Sequence, residues 1–303
     1  MIKIPNYTSL AQALVSLFGK ETRIAQTDRL SGGDINKAYG LHLTSGQHIF
    51  MKANSKQNAP FFLAESYALN AIAQTGTIKT PHILCTGTDS GEISGYSFLL
   101  LDFIESSPKK SDYWELFGRE LAYMHLSPTA HLTKDKKFGF LADNFIGERE
   151  QKNALSESWI SFFRDQRLAP QFKVADSWFK TSDRKKITFL LDHLDEFLIE
   201  CQNPSLLHGD LWIGNSLCGS DGKAWLIDPA SYVGFCEADI AMTELFGGFK
   251  KEFYASYNEV NPLSKGYEER RDLYNLYHLL NHLNMFGESY LAPVKSIVDE
   301  YVA

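Results

Sequence analysis

Over the first hundred residues, apolar and polar side chains mostly alternate, the period of half-buried strands. Arg23 to Leu30 predicts a strand, followed by the turn Ser31-Gly32-Gly33-Asp34. Ala38 to Leu43 predicts a second, and Thr44-Ser45-Gly46 a hairpin turn into a third, His48 to Ala53. Phe61 to Ala73 changes period, with Phe62, Glu65, Leu69 and Ile72 on one helical face. Two further strands are expected near His82 to Thr86 and Tyr96 to Phe103. From Ser111 the helical period takes over. Tyr113 to His125 carries Trp114, Phe117, Leu121 and Met124 on one stripe, and Ile187 to Ile199 carries Ile187, Leu190, Leu191, Leu194 and Leu198. Tyr274 to Phe286 predicts a helix near the end of the chain. Ser127 to Gln151 follows neither period, and a loop that long inside a compact protein usually serves a function or is disordered. The pattern predicts an α+β chain. Residues 1–103 form an antiparallel-sheet unit with one helix, and residues 104–303 a mainly helical unit.

Composition narrows the classes. The chain has 303 residues, of which 44% are hydrophobic, enough for a sizeable core. A net charge of −7 argues against a nucleic-acid binder. The N-terminus lacks the apolar core of a signal peptide, and the apolar run Phe98 to Ile104 is too short to span a bilayer. The expectation is a soluble cytoplasmic protein with no membrane, nucleic-acid or obligate protein partner. Cys85, Cys201, Cys218 and Cys236 fit no zinc spacing, and free buried thiols are expected.

The densest chemistry is His208-Gly209-Asp210-Leu211-Trp212-Ile213-Gly214-Asn215, followed by Asp228 after the apolar strand Ala224 to Ile227. Phosphoryl transfer uses one carboxylate to accept a hydroxyl proton, and an amide oxygen and second carboxylate to hold Mg²⁺ against the nucleotide phosphates. The protein-kinase catalytic loop has the same Asp-to-Asn spacing, with Gly209 here in place of its Arg. An isolated loop Asp serves equally well as a cap. The combined spacing favours Asp210 as the catalytic base, with Asn215 and Asp228 as metal ligands. His208 reads as structural, bonded to the backbone of the Asp228 turn. His278 and His282, spaced as i and i+4, lack the adjacent Glu of a metalloprotease and read as packing.

Lys52 ends an alternating strand on the face of Phe50, and Glu65 sits on the apolar face of the next helix. A buried carboxylate needs a partner. In a nucleotide-binding unit Lys52 would touch phosphates and pair with Glu65; otherwise it is an edge charge. Gly32 and Gly33 allow close backbone approach to phosphate oxygens, or form a plain hairpin, and Asp34 beside them would repel phosphates. Asp102, Phe103 and Ile104 end a core strand where main-chain groups can read adenine.

Taken together these residues resemble the fructosamine kinase (ketosamine-3-kinase) family, relatives of aminoglycoside and choline kinases with a two-lobed protein-kinase-like fold. The likeness also covers Gly32 to Asn36, Phe138-Gly139-Phe140, Gln151, Asn153, Trp159, Arg167 and the run Glu237 to Thr243. It extends to Leu245 to Phe249 and Tyr277 to Asn284. The resemblance implies ATP and Mg²⁺ as cofactors and phosphorylation of the 3-hydroxyl of a small-molecule or protein-bound ketosamine. The unstable product then frees the amine, a deglycation repair. Trp212, Phe140 and Glu237 become candidate substrate contacts, with core packing as the alternative for the aromatics. Cys236 stands where relatives carry a cation. A related aminoglycoside, choline or sugar kinase, or a silent pseudokinase acting as a binding module, is the rival reading.

Overall fold

The computed structural model describes residues 3–31, 36–91 and 95–302. Two compact units emerge. The first holds residues up to Tyr113 together with 147–149 and 216–229, and the second holds the rest. The sequence expectation of a single cut after residue 103 did not include those two later segments.

The first unit is built on a six-stranded sheet. In chain order its strands are β1 (Asn6–Tyr7), β2 (Ile24–Leu30), β3 (Lys37–Leu43), β4 (His48–Ser55), β5 (Ile83–Asp89) and β6 (Tyr96–Asp102). Their spatial order is β1-β5-β6-β4-β3-β2, antiparallel except for the β1–β5 pair. Two helices pack on it, α1 (Leu10–Phe18) and α2 (Ala59–Gln74). The pattern predicted only α2. Helix α1 is short, but Ser9 caps it by accepting from the Gln12 N–H, and it buries Leu10, Ala13 and Leu14. That stripe covers one sheet face, with Leu41, Leu43, Ile49, Met51, Phe98 and Leu100. The other face places Leu99 and Leu101 against Phe62 and Leu69 of α2. Alternation therefore does as expected, putting Lys52 with Phe50 on the α2 side.

A later hairpin, β7 (Ser216–Cys218) with β8 (Ala224–Leu226), belongs to this unit. It is tied on by Leu226 N–H donating to the Lys79 carbonyl (2.8 Å) and Ser107 N–H donating to the Cys218 carbonyl (2.9 Å). Asp228 follows directly.

The second unit is mainly helical. Its helices include Trp114–His125 (the rest of α3, Tyr113–His125), α4 (Thr181–Asp192), α5 (Glu237–Leu245) and α6 (Tyr267–Phe286). The helix expected over Ile187 to Ile199 starts earlier and breaks at His193, with a short helix over Leu194–Phe197 beyond it. There the Phe189 carbonyl accepts from the His193 N–H at 3.1 Å and is also bonded by the His193 ring at 2.8 Å. The irregular stretch 127–151 contains a single turn of helix, Ala130–Thr133, and two short strands, Asn144–Ile146 and Arg149–Gln151. Trp159, Phe162, Phe163, Tyr232 and Tyr274 form the aromatic heart of the unit. All four cysteines are free and buried. No helix among the described residues is long and apolar enough to cross a membrane.

Candidate active site

In the first unit, Lys52 stands within β4 and α2 brings up Glu65. The ammonium bonds a Glu65 oxygen at 2.6 Å and also contacts Asp228 Oδ1 closely. Burial alone would push the Lys52 ammonium down, but the Asp228 and Glu65 carboxylates outweigh it and hold it above its ordinary value. Asp228 has φ +55°, a left-handed conformation that costs a non-glycine residue energy and clusters at functional sites. Its side chain is 40% exposed, against 8% for Lys52. Asp102 closes β6, its N–H donating to the His82 carbonyl at 3.0 Å, and Phe103 stacks on His48 at 3.7 Å. Gly32, Gly33 and Asp34 lie outside the described residues.

In the second unit, strands β9 (Ser205–Leu207) and β10 (Tyr232–Gly234) pair antiparallel. Their pairing brings the residues after β9 beside those before β10. The Ala230 N–H donates to the His208 carbonyl at 2.9 Å, so His208 does tie the two turns, through its backbone. Gly209 has φ +81°, and a Cβ there would meet the Ala230 carbonyl oxygen at 2.2 Å. That contact explains why the arginine of the protein-kinase loop has no room here. Asn215 donates its amide to the Asp210 carbonyl (2.9 Å) and to Asp210 Oδ2 (3.1 Å). Both bonds use nitrogen, which leaves the amide oxygen as a donor of the hard type Mg²⁺ takes. Trp212, two residues past Asp210, is 38% exposed.

The pattern reading missed what holds this loop. Asp239 of α5 accepts from the His208 N–H (2.6 Å) and the Gly209 N–H (2.9 Å). His125 bonds the same carboxylate at 3.2 Å and is itself bonded to the Tyr257 hydroxyl at 2.7 Å. Burial pushes the Asp239 carboxyl up, but His125 and the Gly209 N–H outweigh that and hold it below its usual value. The other turn is held likewise. Gln151 donates to the Ala230 carbonyl (2.9 Å) and Asn144 to the Ser231 carbonyl (2.7 Å). Asn153 braces Asn144, and Arg167 braces Asn153 at 2.7 Å. Asp239 was findable, because a carboxylate inside the apolar run Ala238 to Met242 demands partners. The amides carry no such signal.

Two expected substrate contacts are corrected. Glu237 is fully buried, and Arg270 takes both its oxygens at 2.7 and 2.9 Å, so the carboxylate has no surface to offer a sugar. Phe140 is 7% exposed and belongs to the core. The neighbouring Cys236 supplies no cation; burial pushes its thiol up to about 11, and Glu237 draws its cation from α6 instead.

Residues 6–303 match the fructosamine kinase family model. A "probable ketoamine kinase" of Synechocystis sp. is 36% identical over 295 residues, covering 97% of this chain and 96% of that one. The chloroplastic protein-ribulosamine 3-kinase of Oryza sativa subsp. indica is 37% identical over 286 residues, 94% of this chain and 81% of that one. A crystal structure from Haemophilus somnus 129PT, named provisionally a fructosamine-3-kinase, superposes with a TM-score of 0.83 at 30% identity, covering 97% of each chain. The α+β architecture, a multi-stranded sheet followed by a helical part, is protein-kinase-like. The chain belongs to the fructosamine kinase family.

Proposed function

We propose that this chain transfers the γ-phosphoryl group of ATP to the 3-hydroxyl of a ketosamine, free or protein-bound. The observation that carries the reading is the buried Lys52 ammonium shared between Glu65 and Asp228. Family membership supplies the reaction class, and the rice relative's name supplies a ribulosamine as one acceptor type.

In this reading Asp210 orients the acceptor hydroxyl and takes its proton as O3 bonds to phosphorus and ADP leaves. Lys52, steadied by Glu65, binds the phosphate oxygens. Asn215 and Asp228 would hold Mg²⁺, which when bound offsets the charge on the phosphates. Main-chain groups of Asp102, Phe103 and Ile104 would read the adenine, Gly32 and Gly33 would approach the phosphates, and Trp212 would wall the sugar. Such catalysis is mostly positioning and electrostatics, which fits the number of buried groups fixing the 208–210 backbone.

The test is ADP release measured side by side with a ribulosamine, a fructosamine and the corresponding bare amine. Release that requires a ketosamine is expected; equal release with the bare amine, or none with either ketosamine, sinks the proposal. Asp210→Ala should lower kcat about 10²–10⁴-fold. A variant turning over at the wild-type rate would remove Asp210 from the mechanism.

A further inference from the structure

Arg167 is fully buried in the second unit, and none of its hydrogen-bond partners is a carboxylate. It donates to the Lys152 carbonyl (2.7 Å), the Gln166 carbonyl (2.9 Å) and Asn153 Oδ1 (2.7 Å), and its Nε is buried without a partner among the described residues. The rings of Tyr232, Phe162 and Tyr277 lie close to the guanidinium, with centroids 3.9, 4.7 and 5.7 Å away. Their faces offset part of the cost of burying a cation. We infer that Arg167 is a positioning residue for phosphoryl transfer. It sets the direction of a chain of buried amides that fixes the 230–231 turn against the loop carrying Asp210. The inference rests on the proposed role of Asp210 as the base.

The chain runs through Asn153, Asn144 and Gln151, all buried. Asn153 Nδ2 donates to Asn144 Oδ1 at 3.0 Å, and Asn144 Nδ2 donates to the Ser231 carbonyl at 2.7 Å. Gln151 Nε2 donates to the same Asn144 oxygen at 2.8 Å and to the Ala230 carbonyl at 2.9 Å. A side-chain amide carries a donor end and an acceptor end and can turn over to exchange them. Once buried it must keep the end its neighbours demand, because an unmatched polar atom there is costly. The far ends of this chain are main-chain carbonyls, which only accept. Its head is a guanidinium, which only donates. One direction satisfies both. Asn153 gives its oxygen to Arg167 and its nitrogen to Asn144, and Asn144 then gives its nitrogen to Ser231.

The tail of the chain touches the catalytic loop. The Ala230 N–H donates to the His208 carbonyl at 2.9 Å, and a Cβ on Gly209 would meet the Ala230 carbonyl oxygen at 2.2 Å. The two backbones are therefore in contact one residue before Asp210, and a shift of the turn moves the base. Catalysis by positioning is sensitive to such shifts, since a displacement of roughly 1 Å set off by a distant change costs about a hundredfold. Packing alone does not call for a charge at this place. An apolar side chain of similar volume would fill the space beside the three rings without the cost of a buried cation.

Asn153→Asp removes the donor to Asn144 and gives Arg167 a carboxylate in the same change, with the guanidinium keeping that carboxylate ionised. The kcat per folded molecule should fall about ten- to a hundredfold while KM for ATP holds within about twofold. Turnover at the parent's rate overturns the inference. Arg167→Lys keeps a head that only donates, and it should turn over at least about tenfold faster than Arg167→Met, per folded molecule. Equal rates for those two also overturn it, and should Arg167→Met not fold, Asn153→Asp decides alone. Amide hydrogen exchange of the full chain without substrate gives a readout independent of the acceptor. The Ala230 N–H should exchange at least about tenfold faster in Asn153→Asp than in the parent, and unchanged protection overturns the inference. A parent that phosphorylates no ketosamine sinks the proposed function and leaves the exchange result to decide this one.

Discussion

Each compact unit buries a glutamate against a cation, and the two pairs do different things. In the second unit Glu237 gives both oxygens to Arg270, which also donates to the Ser264 and Lys265 carbonyls. The two charges of that pair are matched, and neither partner faces solvent. In the first unit Glu65 holds Lys52, but the ammonium is shared with a second carboxylate, Asp228, which is substantially exposed. That arrangement has one anion more than it has cations. Burial of a charged pair is therefore a poor sign of function. The better sign is whether the valences close. A closed pair is architecture, whereas an ammonium with an exchangeable, solvent-facing partner can trade that partner for a phosphate.

The sharpest break would come at the closed pair. Arg270→Met leaves Glu237 in the core without its partner, which should cost about 3–5 kcal/mol in a urea titration. Replacing both residues by apolar ones, Glu237→Leu/Arg270→Met, should recover most of that loss, because a matched buried pair contributes little beyond a packed apolar equivalent. The turnover of whatever remains folded should be close to wild type. A single variant as stable as the parent would show that the pair is not closed after all.

The open pair should respond the other way round. Lys52→Met is expected to cost about 10²–10³-fold in kcat, the range seen when one preorganised charge-stabilising donor is lost. Its stability loss should be smaller than that of Arg270→Met. Burial already pushes the Glu65 carboxyl up, with Asp228 adding to this, so without Lys52 the carboxyl can take a proton and stay buried as a neutral group. Steady-state kinetics beside urea midpoints for both variants would decide. The contrast fails if Lys52→Met proves the less stable of the two.

These pairs also mark how far the sequence can be read. Lys52, Glu65 and their strand and helix were legible because each signal is local. Alternation set the face of Lys52, and a charge on an apolar stripe called for a partner. Asp210 and Asn215 were legible through their spacing. What holds them was not. His125, Asn144, Gln151 and Arg167 act on backbone groups or on residues far along the chain, and an amide or imidazole at such a position looks like any other polar residue. Glu237 misled because its place next to a family motif suggested contact with substrate, while its partner lies 33 positions on. Helix α1 was hidden by its length.

A third buried ionisable group, His278 of α6, tests the same distinction with the smallest effect, since it is buried in neutral form. Burial, with His282 and Arg167 adding, pulls its imidazole down to about 3. In the unfolded chain it titrates near its ordinary value of 6.5. Above that pH both states are neutral and the residue contributes no pH dependence. Below it only the unfolded chain takes up the proton, so stability falls as pH drops, by about 1.4 kcal/mol per unit. Between pH 6.5 and pH 5 that amounts to about 1.6 kcal/mol, the slope reaching its full value only well below 6.5. Urea midpoints for the parent and for His278→Gln across this window should diverge accordingly, the variant showing the shallower fall. Carboxylates titrating nearby affect both proteins alike and drop out of the difference. Parallel slopes would mean that His278 is not held neutral, and that α6 carries a charge there which, like Lys52, has a partner to find.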